Sequence, residues 1–177
     1  MRGFTLLELL IVLVIISFMV SMAALNTSSD PRIDRLNEIG EELKFVFEVA
    51  SDEAIFKDKT LGVEFSTGRI GFFERTFVAD KDDEKTRTPG WVKYEGSIRN
   101  PYILDEEIEL SLKIDGQESV VPFDVNEKEP KPKVVLQATG EQNVIAVELS
   151  IAELGTTVKV RGNGTGRFYK EVEQDEE

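Results

Sequence analysis

From Phe4 to Leu25 the chain is apolar except at Thr5, Glu8, Ser17 and Ser21. As a helix, about 22 residues rise roughly 33 Å, enough to span a hydrocarbon core of about 30 Å. A carboxylate inside such a run is costly at mid-bilayer, so its presence calls for a partner or a function. Glu8 follows Phe4 by only about 6 Å of helix rise, which keeps it shallow and lowers that cost.

The pattern then changes twice. Ser29 or Asp30 can cap a new helical segment with Pro31 in its first turn. Leu36, Gly40, Leu43, Phe47, Ala50 and Ala54 follow at steps of four and three, with Glu38, Glu41, Glu42, Lys44, Glu48, Asp52 and Glu53 off that stripe. Small Gly40, Ala50 and Ala54 let a sheet lie close. Together the two segments predict a helix from Phe4 to Lys57 of about 80 Å, bent near Pro31. From Thr60 the period becomes two. Leu61–Phe65, a turn at Ser66-Thr67-Gly68 and Arg69–Phe73 read as a hairpin. Further strand signals fall at Pro89–Tyr94, Ile108–Ile114, Ser119–Phe123, Val134–Leu136, Val144–Leu149, Val158–Val160 and Arg167–Tyr169. Asp115-Gly116 supplies one tight turn and the glycine-rich 162–166 another. Polar 126–133 reads as a loop, and Glu171–Glu177 as an acidic tail that frays.

One long helix followed by eight or more strands predicts an α+β fold, the helix packed on an antiparallel β-sandwich. The expected divisions are 4–25, a transmembrane helix; 26–57, its continuation; 58–170, the sandwich; and 171–177, the tail.

Composition narrows the chemistry. The net charge is −13 over 177 residues, which disfavours nucleic acid as a partner. There is no cysteine and no histidine, so no disulfide forms and no histidine-based nucleophile or metal site can be built. An enzyme is not expected, nor a cofactor. Asp80, Asp82, Asp83 and Glu84 lack the spacing and glycine of a calcium loop and read as solvated. The single tryptophan, Trp91, is expected to pack under the sheet rather than stack on a sugar.

Gly3-Phe4-Thr5-Leu6-Leu7-Glu8 resembles the class III signal of type IV pilins and type II secretion pseudopilins. The resemblance implies cleavage by a prepilin peptidase between Gly3 and Phe4, N-methylation of Phe4, and an assembly salt bridge from Glu8 to the Phe4 ammonium of a neighbour. The leader, Met1-Arg2-Gly3, is shorter than is usual in that family. Glu53-Ala54-Ile55, Leu61-Gly62-Val63, Gly90-Trp91, Thr139-Gly140-Glu141 and the late glycine-rich turn are similar to the H-type minor pseudopilins, the GspH family. That family implies a pilin-like subunit near the tip of a short periplasmic filament that moves folded proteins through an outer-membrane secretin. Expected partners are other major and minor pseudopilins, the prepilin peptidase, the inner-membrane assembly platform and membrane lipid. Arg2 and the free amine favour a cytoplasmic start, with the long C-terminal part periplasmic. Two other readings stand beside this one: a type IV pilus minor pilin of the FimT/FimU kind, and a secreted β-sandwich binding module behind a signal peptide cut near Ala23.

Overall fold

A computed structural model describes residues 5–25, 30–79, 86–123 and 129–174. The chain divides into two compact units, Met1–Asp34 and Arg35–Glu177. The first contains helix α1, Leu6–Leu25. Helix α2 runs Pro31–Phe56, and the bend expected near its start falls on residues 26–29, outside the described residues. Asp30 caps α2: its carboxylate accepts the Arg32 backbone N–H at 2.9 Å and the Arg32 guanidinium at 2.9 Å.

Among the described residues the folded unit holds two five-stranded antiparallel sheets. Sheet A contains β1 (Leu61–Ser66), β2 (Arg69–Ala79), β3 (Arg87–Lys93), β4 (Tyr102–Ile103) and β7 (Val134–Leu136). Its order is β3-β2-β1-β7, with β4 also on β2. Sheet B contains β5 (Glu109–Ile114), β6 (Gln117–Ser119), β8 (Val144–Ser150), β9 (Thr156–Asn163) and β10 (Phe168–Gln174), in the order β10-β9-β8-β5-β6. Alternation sets which side chains enter the core. Ile145, Val147 and Leu149 of β8, and Val158 and Val160 of β9, are buried, while their neighbours in sequence are not.

Helix α2 packs on both sheets through the stripe seen in the sequence, extended by Ile39 and Ser51 on its margins. Phe47 is the hub. Its ring lies 6.1 Å from Phe65 and 6.2 Å from Phe72 of sheet A, and stacks at 5.2 Å on Phe168 of sheet B. Gly40 is the close approach: a Cβ there would sit inside contact distance of Val158 Cγ1.

Two flanks of α2 are clamped as well. The segment 94–105 runs antiparallel along one flank, with Tyr94 and Ser97 bonded to Glu53, Tyr102 to Glu42 and Asp105 to Arg35. Asn100 secures this segment to β2 by exchanging side-chain bonds with the backbone N–H and C=O of Phe72, at 3.0 and 2.8 Å. Along the other flank Lys170 of β10 reaches Glu41 at 3.1 Å and the Asn37 carbonyl at 3.5 Å.

Several expectations change. The expected strand Ser119–Phe123 stops at Ser119; Pro122 has no N–H for a ladder, and its carbonyl instead accepts the Thr67 N–H at 3.1 Å. Val120 and Phe123 are exposed. The acidic tail does not fray at Glu171, because β10 continues to Gln174. Glu171 and Glu173 meet the cations of β9, Arg161 at 3.3 Å and Lys159 at 2.6 Å, so the acid run is a paired strand there. Residues 175–177 lie outside the described residues. Trp91 does pack on a sheet, but on the face of sheet A turned away from α2. A Cβ on Gly62 would come within 2.7 Å of its ring and 2.6 Å of Pro132. The stretch 129–133 thus straps this outer face, which is why every residue of β1 is buried.

Candidate functional site

Gly3 and Phe4, the expected cleavage and methylation positions, lie outside the described residues, so geometry here begins at Thr5. The Glu8 N–H donates to the Thr5 carbonyl at 3.1 Å and the Thr5 hydroxyl at 3.3 Å, and the Leu9 N–H reaches the same carbonyl at 3.3 Å. Thr5 is therefore the N-cap of α1, and Glu8 stands three residues in. There a carboxylate also favours the positive end of the helix dipole. The signal for this was in the sequence as Thr-x-x-Glu ahead of an apolar run.

Every described side chain of α1, Thr5–Ser21, is exposed. Leu6 is 85% and Phe18 69% accessible, and the apolar residues between them face all directions. A helix apolar on all sides requires a non-aqueous surrounding, lipid or other helices. With its side chains described only to Ser21, no helix among the described residues is long and apolar enough to cross a membrane.

Among the described residues no group of three or more carboxylates could hold a metal ion, and the charged loop at 80–85 lies outside them. The outward face of sheet B carries an open groove of about 460 Å³ lined by Lys113, Ala146, Glu148, Lys159, Arg161 and Tyr169. Its cations are already engaged. Lys113 pairs with Glu148 at 3.0 Å, Lys159 with Glu173 and with Glu148 at 3.5 Å, and Arg161 with Glu171. Burial pushes the Glu148 carboxyl up, but Lys113, Lys159 and Ser111 outweigh it and hold it below its usual range. Cross-strand ladders of this kind are a solvated sheet face.

Two other carboxylates are structural. Glu53 accepts bonds from Lys57 at 2.8 Å, from the Ser97 hydroxyl at 2.7 Å and from the Tyr94 phenol. Burial pushes its pKa up, yet those bonds overcome it and hold it at about 2. Glu64 is buried under the 129–133 strap and accepts the Lys131 N–H at 3.1 Å. Burial dominates there and raises its pKa. The phenol of Tyr102 is also pushed up, by burial and then by its bond to Glu42.

Comparison with known proteins places this geometry. The prokaryotic N-terminal methylation motif matches residues 1–24. The type II secretion system protein H of Pseudomonas aeruginosa is 29% identical over 154 residues, covering 84% of this chain and 83% of its own length. The crystal structure of the minor pseudopilin EpsH from the type II secretion system of Vibrio cholerae superposes with a TM-score of 0.55 at 18% identity, covering 81% of this chain and 96% of that one. The solution structure of GspH from E. coli gives 0.55 at 17%, covering 83% and 94%. The first is named for a type II secretion system and the second as a minor pseudopilin of one. The chain is pilin-like in motif and fold, and what it is similar to along most of its length is the H-type minor pseudopilin of the type II secretion system.

Proposed function

We propose that this chain is a minor pseudopilin of a type II secretion system, a structural subunit near the tip of a periplasmic pseudopilus that helps export folded proteins. One observation carries the reading: an apolar helix exposed on all sides, opening on a methylation motif and bearing a single carboxylate at Glu8. Before assembly, residues 4–25 span the inner membrane once, with a cytoplasmic N-terminus and the folded unit in the periplasm. A prepilin peptidase cuts between Gly3 and Phe4 and the Phe4 amine is methylated. When the helix leaves the bilayer for the filament, Glu8 must leave with it. Pairing with the Phe4 ammonium of an adjacent subunit neutralises two desolvated charges and sets the axial register. The role is mechanical and calls for no cofactor. Other pseudopilins, the assembly platform and lipid are its partners. A type IV pilus role for the same motif is less favoured, since the relatives are type II secretion proteins.

Intact mass spectrometry of the protein extracted from membranes of its host tests this reading. A chain starting at Phe4 and carrying one methyl group is the expected species. A start near Ala24 would instead mark a secreted domain, and an uncut Met1 chain would remove the processing step.

A further inference from the structure

The β9–β10 hairpin closes through Gly162-Asn163-Gly164-Thr165-Gly166, the only place in the chain where asparagine precedes glycine. The Asn163 side chain braces that turn. Its Oδ1 accepts the Thr165 N–H at 3.0 Å, the Thr165 hydroxyl at 2.9 Å and, more distantly, the Arg167 N–H at 3.4 Å. The Asn163 N–H in turn donates to the Arg167 carbonyl at 3.1 Å. Accepting from the residue two ahead folds the carboxamide over the Gly164 peptide nitrogen that lies between. Gly164 has a φ of 83°, in the left-handed region, and its N–H is given no hydrogen bond among the described residues. Asn163 is exposed, so water reaches the turn.

These features are the parts of an acyl-transfer site. Donors on Oδ1 polarise the carboxamide carbon and are in place to hold negative charge on that oxygen, as an oxyanion hole does. The Nδ2 group has no partner among the described residues, so nothing retains it as a leaving group. The nucleophile is a backbone nitrogen with no side chain beside it. The other described asparagines lack this set. Asn37 lies within α2, where backbone N–H groups are engaged in the helix. Asn100 precedes proline, which has no N–H. Asn143 precedes β-branched Val144, whose N–H donates to Asp115 at 3.2 Å.

We propose that Asn163 is a self-modification site, converted in the folded chain to aspartate and isoaspartate through a succinimide. Hydroxide takes the Gly164 N–H proton, the nitrogen bonds to Asn163 Cγ, and the C=O electron pair moves onto Oδ1. The oxyanion collapses, the Cγ–Nδ2 bond breaks, and Nδ2 leaves as ammonia with a proton from water. Water then opens the ring. Breaking the new N–Cγ bond gives aspartate; breaking the original bond from the Gly164 nitrogen to the Asn163 carbonyl carbon gives isoaspartate. No oxidant or reductant takes part. The two products differ in what they do to the fold. Aspartate keeps an oxygen for the same donors. Isoaspartate inserts a methylene into the main chain, at a hairpin whose second strand carries Phe168 onto Phe47 and Lys170 onto Glu41. The modification therefore loosens β10 from α2.

Full-length protein in detergent, aged at neutral and at alkaline pH in water carrying heavy oxygen, provides the test. Peptide mapping by mass spectrometry, with electron-transfer fragmentation, tells isoaspartate from aspartate. The expected result is exchange of carboxamide for carboxylate at Asn163 alone, with one heavy oxygen gained and a faster rate at alkaline pH. Hydrogen exchange over β10 should be faster in the isoaspartate fraction. Thr165→Ala removes the hydroxyl donor but keeps the N–H, and should slow conversion roughly two- to tenfold, the worth of one ordinary hydrogen bond expressed as a rate. Thr165 is exposed, so this variant should keep the fold, with unchanged urea unfolding as the check. No conversion in the folded chain, equal conversion at Asn37 or Asn143, or a wild-type rate in Thr165→Ala would overturn the proposal. Unchanged exchange in the isoaspartate fraction would overturn its consequence for β10.

Discussion

At the residue scale, two glutamates matter for opposite reasons: Glu53 is fully provided with donors, and the Glu8 carboxylate is given none among the described residues. Hydrogen bonds to Glu53 outweigh its burial and hold the carboxyl at about 2, against 4.5 for an ordinary glutamate. Between those values the unfolded chain binds more protons than the folded one. The stabilisation by Glu53 is therefore complete above about pH 4.5 and is lost as pH falls toward 2. Glu53→Gln should lower stability at neutral pH by on the order of 2–3 kcal/mol and make unfolding less sensitive to acid. Urea titrations at neutral pH and near pH 3 check this; an unchanged acid sensitivity would show that Glu53 is not the titrating group. The signal for Glu53 was absent from the sequence, since Tyr94 and Ser97 lie some forty positions away and only the fold brings them together. Glu8 was legible, because a lone carboxylate in an apolar run stands out. Its position three residues after the Thr5 cap adds a second role, helix initiation, that has to be separated from pairing with an amine. Glutamine serves a capping box as well as glutamate does, but carries no charge. Glu8→Ala and Glu8→Gln should both be cleaved and inserted normally, yet crosslink poorly to neighbouring pseudopilins. Recovery in the Gln variant would reduce Glu8 to a helix cap.

At the scale of elements, the period of the apolar residues decided what could be foreseen. The α2 stripe from Leu36 to Ala54, the β1–β2 hairpin and the Asp115-Gly116 turn follow from local pattern, the last with positive φ at both residues, 51° and 80°. Long-range pairing escaped the pattern. Glu171–Gln174 reads as tail until Lys159 and Arg161 are placed opposite it, and Ser119–Phe123 reads as strand although its ladder with β5 ends at Ser119. Trp91 and Pro132, a residue in what reads as a polar loop, both lie against Gly62 on the outer face of sheet A. Gly40 tests how tightly the helix and sheet B are fitted. Alanine there gains up to about 1 kcal/mol of helix propensity. Its methyl would meet Val158 Cγ1 at less than contact distance, and Val158 is fully buried. Overpacking costs about 1–3 kcal/mol, so the clash wins. Gly40→Ala should destabilise by about 1–2 kcal/mol in urea unfolding. A more stable variant would mean that the helix can shift outward from β9 without loss.

At the scale of the whole molecule, the division of labour follows the distribution of apolar surface. Described side chains of α1 have no covered face, whereas those of α2 close over a core built from both sheets, with Phe47 touching each. A chain organised this way should survive removal of the first helix. The cut has to preserve the cap of α2, because Asp30 accepts the Arg32 N–H and holds its guanidinium. A fragment starting at Asp30 keeps that cap and the whole compact unit from Arg35 onward. It sheds the surface that water tolerates least, and the remaining acidic exterior favours solubility. It should be soluble without detergent, unfold cooperatively, and give a mixed circular dichroism spectrum in which strand exceeds helix. Starting at Ile33 instead should cost about 1 kcal/mol through loss of the cap, without loss of fold. An insoluble or non-cooperative Asp30 fragment would show that α2 and the two sheets depend on α1 for their own folding, and the two units would then be one.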